Sequence, residues 1–348
     1  MKETRINVIV DYRGKFFPAT KYWDASLDLA KLTAYFAQSG LRTRFWTYFD
    51  ASNNLRALSG EVVMYQSSED RGGWYKSYIE DVLLALQLIG AILVPAFPML
   101  RAHHNKSFME LLRKALGDRS IDLPAHVFGT YEDYLGRLEI VKNGKWVLKP
   151  AAGACSKGVA LLATPSDKLA LPRKISLVGD WKDILRIWVK HFLRFRYKDY
   201  RKKSYRRKKF VVQRFIENLK GDFKVLIFGD KLYLLARSNR KNDFRASGSG
   251  LFNSDPAVPD GLLDYCWSVF QIFDVPIISM DVAHLDGRFF LIEFQFVCFG
   301  MYTLEKSSFY YTKTPQGWSK VEATPDVERE FVSSVCLFLR KKHILESC

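Results

Sequence analysis

The sequence has little cysteine and little histidine. Its five cysteines, Cys155, Cys266, Cys298, Cys336 and Cys348, are odd in number, widely scattered and without paired metal spacing. That pattern excludes a disulfide framework and a zinc module, and it fits reduced thiols in a cytoplasmic protein. Cys155 falls in a small-residue loop, where it reads as a filler rather than a nucleophile. His103 and His104 are adjacent, so their side chains point apart, and no second cluster accompanies them; they do not indicate a metal site. Long apolar runs are missing too. No stretch could span a bilayer, and the charged start runs directly into a short apolar strand instead of a secretory leader. Neither an internal repeat nor, outside one basic region, a low-complexity tract is present. Acidic residues are scarce against basic ones, 37 against 53, which sets the formal net charge at +16. Such a bias favours anionic partners without identifying one, and no RNA-recognition aromatic motif or zinc-finger spacing accompanies it.

An apolar share of 48% over 348 residues supports two or three domains with substantial cores. Over the first hundred residues the periodicity alternates. Ile6 to Asp11, Glu61 to Tyr65 and Ile92 to Pro95 read as strands, and Ser26 to Gln38 and Trp74 to Leu88 as helices closed near Gly40 and Gly90. Alternation of this kind predicts an open parallel sheet. Asp11, Tyr12 and Arg13 follow the first strand, where a plain turn and a substrate-facing role are both open. Asn105 to Leu116 and Asp326 to Lys342 read as further helices.

The acidic residues are most informative near the end of the chain. Ile277 to His284 and Arg288 to Val297 are rich in β-branched and aromatic residues, and Leu285-Asp286-Gly287 between them signals a turn, so the segment predicts a hairpin. Alternation puts Leu291, Glu293 and Gln295 on one face. Asp281 joins them only if the turn holds three residues with Gly287 left-handed, because a two-residue turn sends Asp281 to the opposite face. Magnesium takes hard oxygen ligands, usually one or two carboxylates completed by phosphate oxygens and water. Asp281 and Glu293 supply that pair and Gln295 an amide oxygen. An isolated acid on a strand is most often simply exposed, but these lie within a strongly apolar run.

Lys145 to Pro150 reads as a strand that ends in a lysine and runs into the small-residue loop 151–159, which re-enters a strand at Gly158 to Leu162. Small residues let backbone amides approach phosphate oxygens, and Ser156 and Lys157, beside Gly158, add a donor and a charge. The spacing of Gly153 and Gly158, with no helix following, is not that of a Walker A loop. Phe210 to Ile216 and Gly221 to Arg237 give three strands with Gly229-Asp230 as a tight turn, and period two puts Asp222 and Lys224 on one face. Asn242 to Gly250 adds Arg245 within a glycine-containing loop.

In this order the pieces resemble the ATP-grasp superfamily, over about Asn105 to Gly300, and within it the branch of ribosomal-protein glutamate ligases. The resemblance rests on a strand ending Lys149-Pro150, a small-residue loop with Gly158-Val159, Gln213-Arg214-Phe215-Ile216 as a hinge, Gly221-Asp222-Phe223-Lys224-Val225, Asp243-Phe244-Arg245, and Glu293-Phe294-Gln295. It implies an α/β architecture: an N-terminal open parallel sheet over 1–104, then two subdomains, 105–212 and 213–348, clasping ATP. It implies a ligase in which a carboxylate attacks the terminal phosphate and an amine displaces the acylphosphate. Lys106 and Lys149 would contact the nucleotide, with Ser156, Lys157 and Gly158 near its phosphates. Gln213, Arg214, Phe215 and Ile216 would line adenine, and Asp222 and Lys224 would complete the nucleotide site. Arg237 and Arg245 would face the transferred phosphoryl group, and Asp281, Glu293 and Gln295 would hold magnesium, as two ions with manganese a possible substitute. Two positions depart from the pattern: Gln295 stands where asparagine is usual and Gln213 where glutamate often is.

Arg194 to Lys209 contains ten lysines and arginines opposed only by Asp199, with Tyr197, Tyr200 and Tyr205 interleaved. It follows Trp181 to Phe195, an amphipathic helical pattern. A solvated insertion and an arm that recruits an anionic partner are both open; nucleic acid, an acidic sugar polymer or nucleotide sugar, and an anionic membrane surface are the candidates. The reading that competes with a ligase is a basic nucleic-acid or polyanion-binding protein on a degenerate ATP-grasp scaffold.

Overall fold

The computed structural model describes residues 5–17, 26–153, 156–196, 199–241 and 243–345. Cys155, Tyr197, Asn242 and Cys348 lie outside the described residues. The chain forms two compact units, a larger one within 1–103, 118–121 and 218–348 and a smaller one within 104–117 and 122–217.

In the larger unit, β1 (Arg5–Val10), β2 (Arg42–Thr47), β3 (Val62–Met64) and β4 (Ile92–Val94) form the expected parallel sheet, in the order β2-β1-β3-β4. The sequence reading lacks β2. It lies at the sheet edge with only Trp46 buried and arginines alternating along it, so it carries little apolar signal. The helix between β1 and β2, Leu29–Gln38, begins where Asp28 accepts the Ala30 and Lys31 amides, which satisfies two of the donors a helix start leaves open.

The smaller unit holds β5 (Ala125–Phe128), β6 (Trp146–Pro150), β7 (Ala160–Leu162) and β8 (Phe210–Arg214) as an antiparallel sheet ordered β5-β8-β6-β7. Alternation divides its faces. Trp146, Leu148, Phe210 and Val212 join Phe128, Tyr134 and Leu162 in one core. Val147, Lys149, Val211 and Gln213 face the other way, toward helix Lys106–Leu116.

The chain then returns to the larger unit as β9 (Gly221–Phe228), β10 (Lys231–Ser238), β11 (Phe252–Asn253), β12 (Ile277–Leu285), β13 (Arg288–Gln295), β14 (Phe309–Thr314) and β15 (Gly317–Glu322). Their order is β13-β12-β9-β10-β14-β15, with β11 on β10. One face is apolar toward one end: Leu226, Phe228, Tyr233 and Ile277 share a core with Val332, Val335 and Leu339 of the terminal helix Val327–Lys341. The same face turns ionic toward the other end.

The hairpin turn differs from expectation. Leu285 pairs with Arg288, leaving a two-residue turn in which Asp286 and Gly287 both have positive φ, 49° and 72°. A three-residue turn is therefore not what orients Asp281. A β-bulge does so instead: Val282 pairs with Leu291 but Asp281 pairs with Glu293, so Ile292 is the extra residue and the alternation is reset. The bulge also corrects the face of Leu291, which pairs with Val282 and points away from Glu293 and Gln295.

Candidate functional site

Across β12 and β13, Asp281 stands directly opposite Glu293 and Ser279 opposite Gln295. Directly opposed residues bring their Cβ atoms to about 4.5–5.5 Å, so two carboxylates, an amide and a hydroxyl share one patch of one face. Ser279 was not singled out from the sequence, although it lies two residues before Asp281 and alternation alone places it there. It is only 1% exposed, and its Oγ has no hydrogen-bond partner among the described residues. A buried hydroxyl without a partner is costly in a finished core, whereas beside a ligand site it is a donor or acceptor in waiting.

The next strands extend the patch with cations. Asp281 pairs in register with Lys224 on β9, and Asp222 with Arg237 on β10. Lys224 Nζ lies 3.0 Å from Asp281 Oδ1, and Arg237 Nη2 lies 2.8 Å from Asp281 Oδ2. Arg237 also donates to both oxygens of Asp222, from Nε at 2.6 Å and Nη2 at 2.7 Å. Burial acts against the charge of the Asp281 carboxyl, but Arg237 and Lys224 outweigh it and hold the group well below the usual carboxylate range. Asp222 moves the other way, raised by burial and by the neighbouring charge of Asp281 in spite of Arg237. Arg237, buried as it is, is held above its ordinary value by the two carboxylates.

These residues fit a hard divalent cation. The patch offers two carboxylates and two neutral oxygen donors, the set magnesium accepts when phosphate and water complete its shell. Each carboxylate oxygen has about two accepting directions, so the contacts of Asp281 with Lys224 and Arg237 leave one on each oxygen. Among the described residues no group of three or more His, Cys, Asp and Glu side chains is arranged to hold a metal by itself.

Arg245 is not brought into this cluster. Its guanidinium is bidentate on Asp243, with Nε at 2.9 Å from Oδ1 and Nη2 at 2.8 Å from Oδ2, and that bond raises the arginine and lowers the acid.

In the smaller unit the structure gathers some of the nucleotide candidates and separates others. Lys149 and Gln213 share a face, and both are buried. Lys106, buried at the start of its helix, donates to the Gly153 carbonyl at 2.8 Å, while its own amide donates to the Ala151 carbonyl at 2.7 Å. Lys106 therefore ties down the small-residue loop. Ser156 and Gly158 in that loop adopt positive φ, and Lys157 lies between them. A Cβ on Gly158 would come 3.3 Å from Pro150 Cγ, so the tight return needs glycine.

The hinge is more committed to the unit itself. Gln213 Nε2 donates to Glu110 Oε1 at 3.2 Å, and Arg113 Nε donates to Glu110 Oε2 at 3.0 Å, a wholly buried set not foreseen from sequence. Arg214 lies on the opposite face, its Nη1 on the Asn143 carbonyl and its guanidinium 5.4 Å from the Trp146 ring centroid. The Arg214 and Phe215 amides donate to the Pro124 and Lys145 carbonyls; Ile216 follows the end of β8. Glu110→Gln should destabilise the protein by about 3 kcal/mol, since it removes a buried carboxylate charge that Arg113 and Gln213 share; a urea midpoint indistinguishable from wild type would show that this charge does not matter to the fold.

At the carboxyl ends of β1 and β2, Asp11 is buried and accepts from the amides of Arg13 and Lys15 and from Arg13 Nε. Asp11 is thus the builder of the turn. Tyr12, at 73% exposed, is what the turn presents, with Tyr75 edge-on 5.3 Å away and Phe49 and Trp74 also exposed. Burial pushes the Tyr75 phenol up to about 12.

No protein-family model matches the sequence, and no curated protein matches it. Solved structures do. A crystal structure of D-cycloserine synthetase DcsG is 12% identical with a TM-score of 0.55, covering 95% of this chain and 98% of that one. The ATP-grasp ligase PsnB complexed with its minimal precursor is 14% identical, with a TM-score of 0.49, over 96% of this chain and 99% of that one. A RimK domain ATP-grasp protein from Sphaerobacter thermophilus is 13% identical, with a TM-score of 0.47, over 85% and 92%. At such identities the likeness to DcsG speaks for architecture alone: the chain shares the fold of that protein, an α/β architecture with one parallel and two antiparallel sheets.

Proposed function

We propose that this protein is an ATP-dependent carboxylate-amine ligase. The observation that carries the proposal is the ionic patch on the long antiparallel sheet, with Asp281 opposite Glu293, Gln295 and the unpartnered Ser279 hydroxyl beside them, and Arg237 and Lys224 adjoining. A structural salt-bridge network accounts for Asp222, Lys224, Arg237 and Asp281. It does not account for Gln295 and the unpartnered Ser279 hydroxyl facing the same side.

On this reading Asp281, Glu293 and Gln295 hold magnesium, as one or two ions with manganese able to substitute, and the ion offsets negative charge on the phosphates. Lys106 and Lys149 are the nucleotide-binding candidates of the smaller unit, with Ser156, Lys157 and Gly158 as its loop donors. Gln213, Phe215 and Ile216 remain the adenine-facing candidates, whereas Arg214, on the far side of the sheet, supports that strand from behind. A substrate carboxylate oxygen attacks the terminal phosphorus, the bond to ADP breaks, and an amine then displaces phosphate from the acylphosphate and loses a proton. Arg237 keeps two Nη1 donors that its bonds to Asp222 and Asp281 do not use, and these suit equatorial phosphoryl oxygens. Arg245 supplies a second guanidinium once it leaves Asp243. Tyr12 and Arg13 are the acceptor-facing candidates.

Binding and product identity test this. A nonhydrolysable ATP analogue with magnesium should bind with a Kd of roughly tens of micromolar to millimolar, and Lys149→Met should weaken it about tenfold or more. Screens of carboxylate and amine pairs should release ADP. No nucleotide binding by calorimetry would favour the scaffold reading, and release of AMP would overturn the acylphosphate route.

A further inference from the structure

Helix Trp181–Phe192 and the basic segment after it do not belong to the patch described above, and the structure shows what they expose. The helix starts at Asp180, whose carboxylate accepts the Lys182 and Asp183 amides. Trp181, Leu185, Trp188 and Phe192 recur at steps of four, three and four, so they form one stripe along a helix about 18 Å long. That stripe faces solvent: Trp181 is 66% exposed, Leu185 53%, Trp188 42% and Phe192 75%, and Val189 and Phe195 are exposed beside it. Ile187, on another side, is the one residue of this helix that is buried.

Polar and cation contacts around the helix, one of them on the stripe's own Trp188, hold this orientation. Arg207 pairs with Asp183, the Tyr200 hydroxyl reaches the Ile187 carbonyl, and Lys202 stacks 3.9 Å from a Trp188 ring centroid. The returning chain is pinned to the smaller unit, with Val178 N–H on the Tyr205 carbonyl and Lys208 N–H on the Ser176 carbonyl. Residues 181–209 contain 13 lysines and arginines against Asp183 and Asp199, a net +11 of the chain's +16.

We propose that this arm is a membrane-surface anchor that lies on bilayers containing anionic lipid, with the Trp181, Leu185, Trp188 and Phe192 stripe at the acyl boundary and the surrounding cations on the headgroups. Indole, phenyl and leucyl groups on one face and lysine and arginine around them are the chemistry of an interfacial helix. Phosphate-backbone binding uses the cations but gives the aliphatic and indole stripe no partner. A second copy would cover the stripe only by bringing two patches of net +11 together, which like-charge repulsion opposes. No helix among the described residues is long and apolar enough to cross a membrane, so the arm rests on the surface rather than spanning it.

The inference is independent of the ligase reading, and its test measures no turnover. The full chain should co-float with phosphatidylcholine vesicles carrying about 30% phosphatidylglycerol and bind pure phosphatidylcholine vesicles at least about tenfold more weakly, since each cation near an anionic surface adds attraction. Its tryptophan emission should shift to the blue on binding. Leu185→Glu with Phe192→Glu, both at exposed positions, should abolish flotation and leave the melting temperature unchanged. Arg186→Glu with Lys190→Glu should weaken it and reduce its salt sensitivity. Equal flotation with both vesicle types, none with either, or an unaffected Leu185/Phe192 double variant overturns the proposal. Tight DNA binding without flotation, or a dimer that the Leu185/Phe192 variant dissolves, overturns it in favour of nucleic acid or a second copy.

Discussion

Changing Glu293 to glutamine is expected to leave the protein folded and to lower ATP-dependent turnover by roughly a hundredfold or more. The side chain keeps its volume, its strand and its place opposite Asp281; only the charge is lost. Glu293 is half-buried on the ionic face. A role in the fold alone predicts a loss of stability instead of a loss of turnover in the folded protein. Thermal melting together with ADP release across a magnesium series separates the two: unchanged turnover at limiting magnesium would remove Glu293 from the metal site, and a large drop in melting temperature would make its role structural.

Asp281→Asn should behave differently, losing about 3 kcal/mol of stability as well as turnover. The amide leaves buried Arg237 with a single carboxylate and leaves Lys224 without its own, so the cluster becomes net positive where water is excluded. The pH dependence carries the same signature. A carboxyl whose folded pKa is depressed stabilises the protein above its unfolded value, about 3.9, and surrenders that contribution as pH falls toward the folded value. Wild type should thus lose stability below about pH 4 more steeply than Asp281→Asn. Asp222, whose folded value is raised, adds the opposite slope above about 3.9, where its ionisation costs stability. Denaturation across pH 2 to 7 measures both. Identical slopes for wild type and variant below pH 4, or a loss of less than about 1 kcal/mol, would show that the cluster does not depend on Asp281 in this way.

The alternation of apolar and polar residues was enough to expose the parallel N-terminal sheet, the Gly229-Asp230 turn and the last hairpin, because buried strands and amphipathic helices write their period into the chain. Local chemistry drew attention to Asp281 and Glu293, and the family resemblance to Lys149, Asp222 and Arg237. What alternation could not determine was register across strands. Asp286-Gly287 makes a two-residue turn, which by parity alone would have put Asp281 on the wrong face; the bulge at Ile292 restores it, and a bulge costs one residue without leaving a composition signal. For the same reason Leu291 changes sides. The partnership of Gln213 with Glu110 joins residues 103 positions apart, and Asp243 intercepts Arg245, a choice between neighbouring and distant carboxylates that only the folded loop makes. Ser279 reads as an ordinary strand serine until the sheet buries it beside Gln295. The basic arm shows the division most plainly: its charge and its 4-3-4 apolar spacing belong to the sequence, but whether that stripe faced a core or solvent depended on which side of the helix the smaller unit covered, and it covered Ile187.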